Sequence, residues 1–300
     1  MMARMTRAQL WGKLCAALQL ALLTLSLPAV ARAQTSSDTT PPPPAAPHAP
    51  ASPGTSSTGT AKLSAARALY YTPTTRGLQS FHCTVDFDWK DMLTRYSSAT
   101  VPDDNPFLQY LRTVHLAISD DLKGTGQLEW TAALAPPAGQ ETSAAKLKEG
   151  MQQMMTGFFS SWNAYMNGNM VPAPDATTTV AETPDGMRMH ATAADTDVTE
   201  LFDKNLLLTE AHVVQPTSDV YAYPTYVDTT DGRIVSSIRT VYRQPPTAAP
   251  AELTLNIAYA PVESFRLPQL LSYELKNVGA FAFKFSACSV QTAAKAPDKL

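Results

Sequence analysis

Hydrophobic and polar residues alternate most cleanly at FHCTVDFDW, residues 81–89. Phe81, Cys83, Val85, Phe87 and Trp89 fall on one side of an extended chain, with His82, Thr84, Asp86 and Asp88 on the other. A period of two predicts a strand with one buried face. Upstream, Leu63, Ala66, Leu69 and Tyr70 recur at helical spacing, which predicts a helix from Ala61 or Lys62 to Tyr71, ended by Pro73. Downstream, Asp88 is placed to cap a short helix over DWKDMLTRY. Strands are predicted at Thr113–Ser119 and Gly126–Ala133, joined through residues 123–126.

The longest helical pattern runs from Ser143 to Asn167 and stops at Gly168. Leu147, Met151, Met154, Met155, Phe158, Phe159, Trp162, Tyr165 and Met166 follow steps of three and four and form one broad stripe. From about Thr177 the period returns to two. Successive strands are separated by short turns, with Asp185-Gly186 and Asp231-Gly232 as hairpin signals. Leu253, Leu255, Ile257 and Tyr259 share a face, and so do Ile234, Ile238 and Tyr242. The closing segment FAFKFSAC places Phe281, Phe283 and Phe285 on one side. A long sheet with one apolar face must curl or be covered by a helix. The predicted fold is therefore α+β: a curved antiparallel sheet, an open half-barrel built as a β-meander, covered by one long and one or two short helices.

The first sixty residues follow different rules. Arg4, Arg7 and Lys13 precede an apolar run from Leu14 to Leu27, followed by small residues at Ala29-Val30-Ala31-Arg32-Ala33. This is the layout of a cleaved secretory signal over residues 1–33, and the run is shorter than the roughly 20 residues a spanning helix needs. Residues 34–61 are rich in Pro, Ala, Ser and Thr and carry no large apolar side chain, so a disordered arm is expected. Residues 62–300 suit a single domain. The expected location is the periplasm or the exterior, with no membrane span in the mature chain.

Composition narrows the function classes. The formal charge of -3 argues against a nucleic-acid binder, and charged residues make up only 16% against a usual ~25%. Three cysteines are present. Cys15 lies in the signal segment, which leaves Cys83 and Cys288 as an even pair for an oxidising compartment. Strict alternation sets Cys288 on the Lys284 and Ser286 side, away from its strand's phenylalanines, unless a bulge intervenes.

No reaction motif is present. His82, Asp86 and Asp88 share a strand face as the best acid–base or metal cluster, but residues in a line need further ligands from elsewhere. Asp103, Asp104, His115, His190 and His212 fit no HExxH, GxSxG or P-loop pattern. Neither catalysis, a metal nor a cofactor is expected.

From about Thr178 to Val290, the chain resembles the LolA/LolB-like periplasmic lipoprotein-carrier superfamily. The residues that carry this are DGRIVSSIRTVYR, then LTLNIAYAPVESFRLPQLLSYEL with its Leu267-Pro268 step, then the closing aromatic strand. The resemblance implies an open half-barrel lidded by helices over an apolar cavity for acyl chains. The expected ligand is a lipid, another apolar molecule or an acylated partner. Its expected lining is Met151, Met154, Met155, Phe158 and Trp162 from the helix, with Tyr259, Phe281, Phe283 and Phe285 from the sheet. Methionine suits such a wall because its unbranched thioether adapts to varied apolar shapes. The alternative is a periplasmic interaction or sensory module whose core is filled by its own side chains.

Overall fold

The computed structural model describes residues 57–97, 100–122, 126–166, 171, 178–193, 196–216, 218–243, 250–276 and 279–293. The secretory signal, the arm up to residue 56, the 123–125 turn and the Gly168 stop lie outside the described residues.

Helix α1 (Ser57–Ala68) begins inside the stretch read as arm and ends before Tyr70. A 3₁₀ turn (Pro73–Arg76) then leads into β1 (Leu78–Phe87), where Phe81, Cys83 and Val85 are buried as the alternation requires. Helix α2 (Trp89–Ser97) is capped by Asp88, whose Oδ1 accepts the Asp91 N–H at 2.8 Å. Helix α3 (Pro106–Leu111) has no periodic signature long enough to predict. It is set by its ends: the Asn105 side chain accepts the Phe107 and Leu108 N–H groups, and Pro106 occupies the first turn, where it loses no bond. Strands β2 (Val114–Asp120) and β3 (Gln127–Ala132) follow, then α4 (Glu141–Met166), which opens two residues earlier than its pattern predicts.

Nine strands close the chain: β4 (Thr178–Thr183), β5 (Gly186–Ala193), β6 (Thr196–Asp203), β7 (Leu208–Gln215), β8 (Ser218–Thr229), β9 (Gly232–Arg243), β10 (Ala251–Val262), β11 (Phe265–Leu275) and β12 (Gly279–Thr292). All twelve form one open antiparallel sheet in the order β3-β2-β1-β12-β11-β10-β9-β8-β7-β6-β5-β4. Consecutive strands pair as neighbours, except that β3 and β4 form the two opposite edges and β1 joins β12. Among the described residues, no helix is long and apolar enough to cross a membrane.

Two turns use glycine for a stated reason. Gly186 has φ 151°, and a Cβ there would lie 2.0 Å from the Phe202 carbonyl oxygen. Gly232 has φ 116°, with the Tyr71 nitrogen 2.9 Å from where a Cβ would sit. The second glycine lets the α1 exit approach the sheet, where Tyr71 N–H donates to the Arg233 carbonyl at 2.8 Å.

The cysteine parity conflict is settled by a bulge. His82 pairs with Ser289 and Thr84 with Ser286, so Cys83 opposes two residues of β12. Ala287 takes φ 46° there and shifts the alternation by one. Cys288 thereby joins the face of Phe281, Phe283 and Phe285 and bonds Cys83 with S–S 2.08 Å.

Candidate functional site

The apolar stripe of α4 and the apolar face of the sheet meet, and every expected lining residue lies at or beside that junction. On the helix, Met151, Met154, Met155, Phe158 and Trp162 are each no more than 1% exposed. On the sheet, Phe283 and Phe285 are fully covered, and Phe281 reaches 9%. The rings are in direct contact: Phe159 lies 6.0 Å from Phe285 and 5.6 Å from Phe81, and Tyr273 stacks on Phe281 at 5.2 Å. Tyr259 is partly exposed as a residue, but its hydroxyl is buried and accepts the Trp162 Nε1–H at 3.1 Å. That burial pushes the Tyr259 pKa up, with the Trp162 bond opposing it.

Polar groups pin the helix at several points along this apolar face. Leu128 N–H donates to Gln152 Oε1 at 3.0 Å, and the Gln152 amide donates to Thr156 Oγ1 at 2.8 Å. The Tyr273 hydroxyl donates to the Met154 carbonyl at 3.4 Å, and burial pushes its pKa well up. The Asn163 amide donates to both carboxylate oxygens of Asp120, at 3.1 and 2.9 Å. Asn163 Oδ1 has no partner. Burial raises the Asp120 pKa to about 6, against the lowering effects of the Leu122 N–H and Asn163, with nearby Asp121 raising it further.

A second buried acid lies farther along the sheet. Glu200 on β6 is 3% exposed, and its Oε2 has no hydrogen-bond partner. Burial raises its pKa well above the usual carboxylate range. It lies within electrostatic reach of Tyr70, whose hydroxyl accepts the Leu208 N–H at 2.8 Å.

Neither acid entered the list of expected lining residues, yet both carry a sequence signal. Glu200 shares the phase of Val198 and Phe202, and Asp120 the phase of Val114, Leu116 and Ile118. A charge on the apolar phase of a strand marks a buried polar group.

The strand-face cluster His82, Asp86 and Asp88 is not assembled into one site. His82 Nε2 lies 3.8 Å from Glu129, Asp86 accepts from Ser286 Oγ at 3.3 Å, and Asp88 is the α2 cap. Asp103 is held by Lys90 and Arg112, whose bonds lower its pKa. His212 contacts Asp219 at 2.6 Å and stacks on Tyr221 at 4.0 Å. Among the described residues, no three His, Cys, Asp or Glu side chains are grouped to hold a metal. A shallow hollow of about 290 Å³ opens beside β1, β2 and β12, lined by Ser80, His82, Ser119, Asp120, Gln127 and Ser289, among others. Its walls are polar, unlike the expected lining. Compared with known proteins, the chain matches no family model, no curated protein and no solved structure.

Proposed function

We propose that this chain is an exported, non-enzymatic binding protein that holds a lipid, another apolar ligand or an acylated partner between its sheet and α4. The observation that carries the reading is the stripe of Met151, Met154, Met155, Phe158 and Trp162, seated wholly on the apolar sheet face. Acyl methylenes entering such a wall gain about 0.8 kcal/mol each, with no need for directional contacts. Methionines let the wall repack around them. Trp162 lies 5.7 Å from Phe81 on β1 and bonds Tyr259 on β10, so one helix side chain touches strands three places apart. The Cys83–Cys288 bond supports an oxidising location.

A second reading is an interaction or sensory module that needs no small ligand. The close contact among Phe158, Phe159, Phe283 and their neighbours favours it, because the rings already satisfy one another. Native mass spectrometry of the mature protein, purified gently from its own host and then solvent-extracted, separates the two. A mass excess that extraction removes, and that yields a lipid, upholds the binding protein. A bare mass together with a stoichiometric protein partner upholds the module.

A further inference from the structure

The pairing register sets a grid of polar side chains on the face of the sheet turned away from α4. Gln127, Ser119, His82 and Ser289 are successive partners across β3, β2, β1 and β12. Two residues farther along, Ser80 pairs with Gln291, and Asp121 follows the end of β2. All of them line the hollow of about 290 Å³. The bulge at Ala287 brings Ser289 to this face, and short serines on both sides of His82 keep the hollow open. The grid is three strand spacings by two residues, about 14 by 7 Å. Ser119 Oγ donates to Glu129 Oε1, and Ser80 Oγ donates to Gln291 Oε1, both at 3.0 Å. Those bonds leave the serine oxygens as acceptors and the Gln291 amide N–H groups as donors.

We propose that this hollow binds an uncharged pyranose sugar, held by hydrogen bonds to Ser119, His82, Ser289 and the two glutamines. Serine, glutamine and neutral histidine each donate and accept, and so does every sugar hydroxyl. No Lys or Arg lines the hollow, whereas Asp120 and Asp121 do, so an anion would meet charge of its own sign. A cation would use the acceptors alone and leave the glutamine N–H groups without a partner. At about 290 Å³ the hollow stands at the small end of ligand pockets, which begin near ~300 Å³, so it takes one ring and not a chain of them. The inference is independent of the apolar-ligand reading, whose ligand lies on the opposite face of the sheet.

The test uses the full mature chain at pH 7 and low salt, with three probes that share one ring and differ in charge: glucose, glucosamine and glucuronate. Titration by saturation-transfer NMR should give glucose a dissociation constant of about 1 mM, the scale of a few exposed hydrogen bonds. Glucuronate should bind about tenfold more weakly at low salt, because its carboxylate faces the two aspartates. Ser289→Leu, which fills the hollow, should abolish glucose binding, and Gln127→Ala, which removes one wall, should weaken it. Both positions are exposed, so neither change touches the core, and near-UV circular dichroism confirms the fold of each variant. Glucose binding that Ser289→Leu leaves unchanged would put the sugar elsewhere and overturn the inference. A preference of about tenfold or more for glucosamine would make the hollow a cation site, which overturns it as well. So would the failure of all three probes to bind, and each of these results leaves the apolar-ligand reading standing.

Discussion

Asp120 ends β2 at 2% exposure, and its charge has a cost that depends on pH. Its folded pKa of about 6 lies above the unfolded 3.8, so the native state binds the proton more tightly. The penalty for ionising it is complete above pH 6, about 3 kcal/mol, and vanishes below pH 4. Asp120→Asn should therefore raise the denaturation midpoint at pH 7. The advantage should shrink as pH falls from 6 to 4, read as the difference between variant and parent across a pH series. An equal midpoint at pH 7 would mean that folding does not raise the Asp120 pKa above its unfolded value. At this scale the chain was only half legible. The phase of Asp120 and Glu200 marks both as buried, but which groups meet them depends on α4 and α1 crossing the sheet. No local pattern encodes that crossing.

At the scale of elements, the turns and the bulge fix which face each strand buries. Gly186→Ala should cost well over 1 kcal/mol, because a Cβ would meet the Phe202 carbonyl at 2.0 Å on a backbone with φ 151°. At Ala287, where φ is 46°, glycine should be neutral or stabilising by up to about 1 kcal/mol. Urea unfolding of the two variants checks both signs. Phe158→Ala in α4 should cost about 3–5 kcal/mol, as for a fully buried ring, and a smaller loss would mean that the wall closes around the gap. The strands and α4 were legible because alternation over six or more residues, or a stripe over seven turns, averages out local exceptions. Helix α3 was not, being six residues long and set by Asn105 and Pro106. Nor was the early start of α1, since Gly59 and Thr60 are weak helix formers that local preference alone would leave outside.

Across the whole molecule, the Cys83–Cys288 bond ties two strands that are adjacent in space and 205 residues apart in the chain. Replacing both cysteines with alanine should lower stability by about 2–5 kcal/mol, the upper end being the chain-entropy value for so long a loop. Guanidinium unfolding with and without reductant should give the same difference in the parent protein. A loss under 1 kcal/mol would mean that the unfolded chain keeps β1 and β12 together by other contacts.

The strand order has a consequence in time as well as in space. Read from its β4 edge, the sheet runs β4 to β12 and then β1, β2, β3, a meander whose chain happens to be cut between its ninth and tenth members. The cut ends still lie side by side, with Ala293 N–H donating to the Gly77 carbonyl at 2.8 Å. A ribosome emitting about 5–20 residues per second delivers β12 some 10–40 s after β1. Throughout that interval the Phe81 and Val85 face of β1 has β2 on one side and no permanent neighbour on the other. A circular permutant opened between α4 and β4, with its old ends joined, would receive its strands in spatial order. It should refold faster and aggregate less, because joining β12 to the segment before β1 turns the sheet's longest-range pairing into one between sequence neighbours.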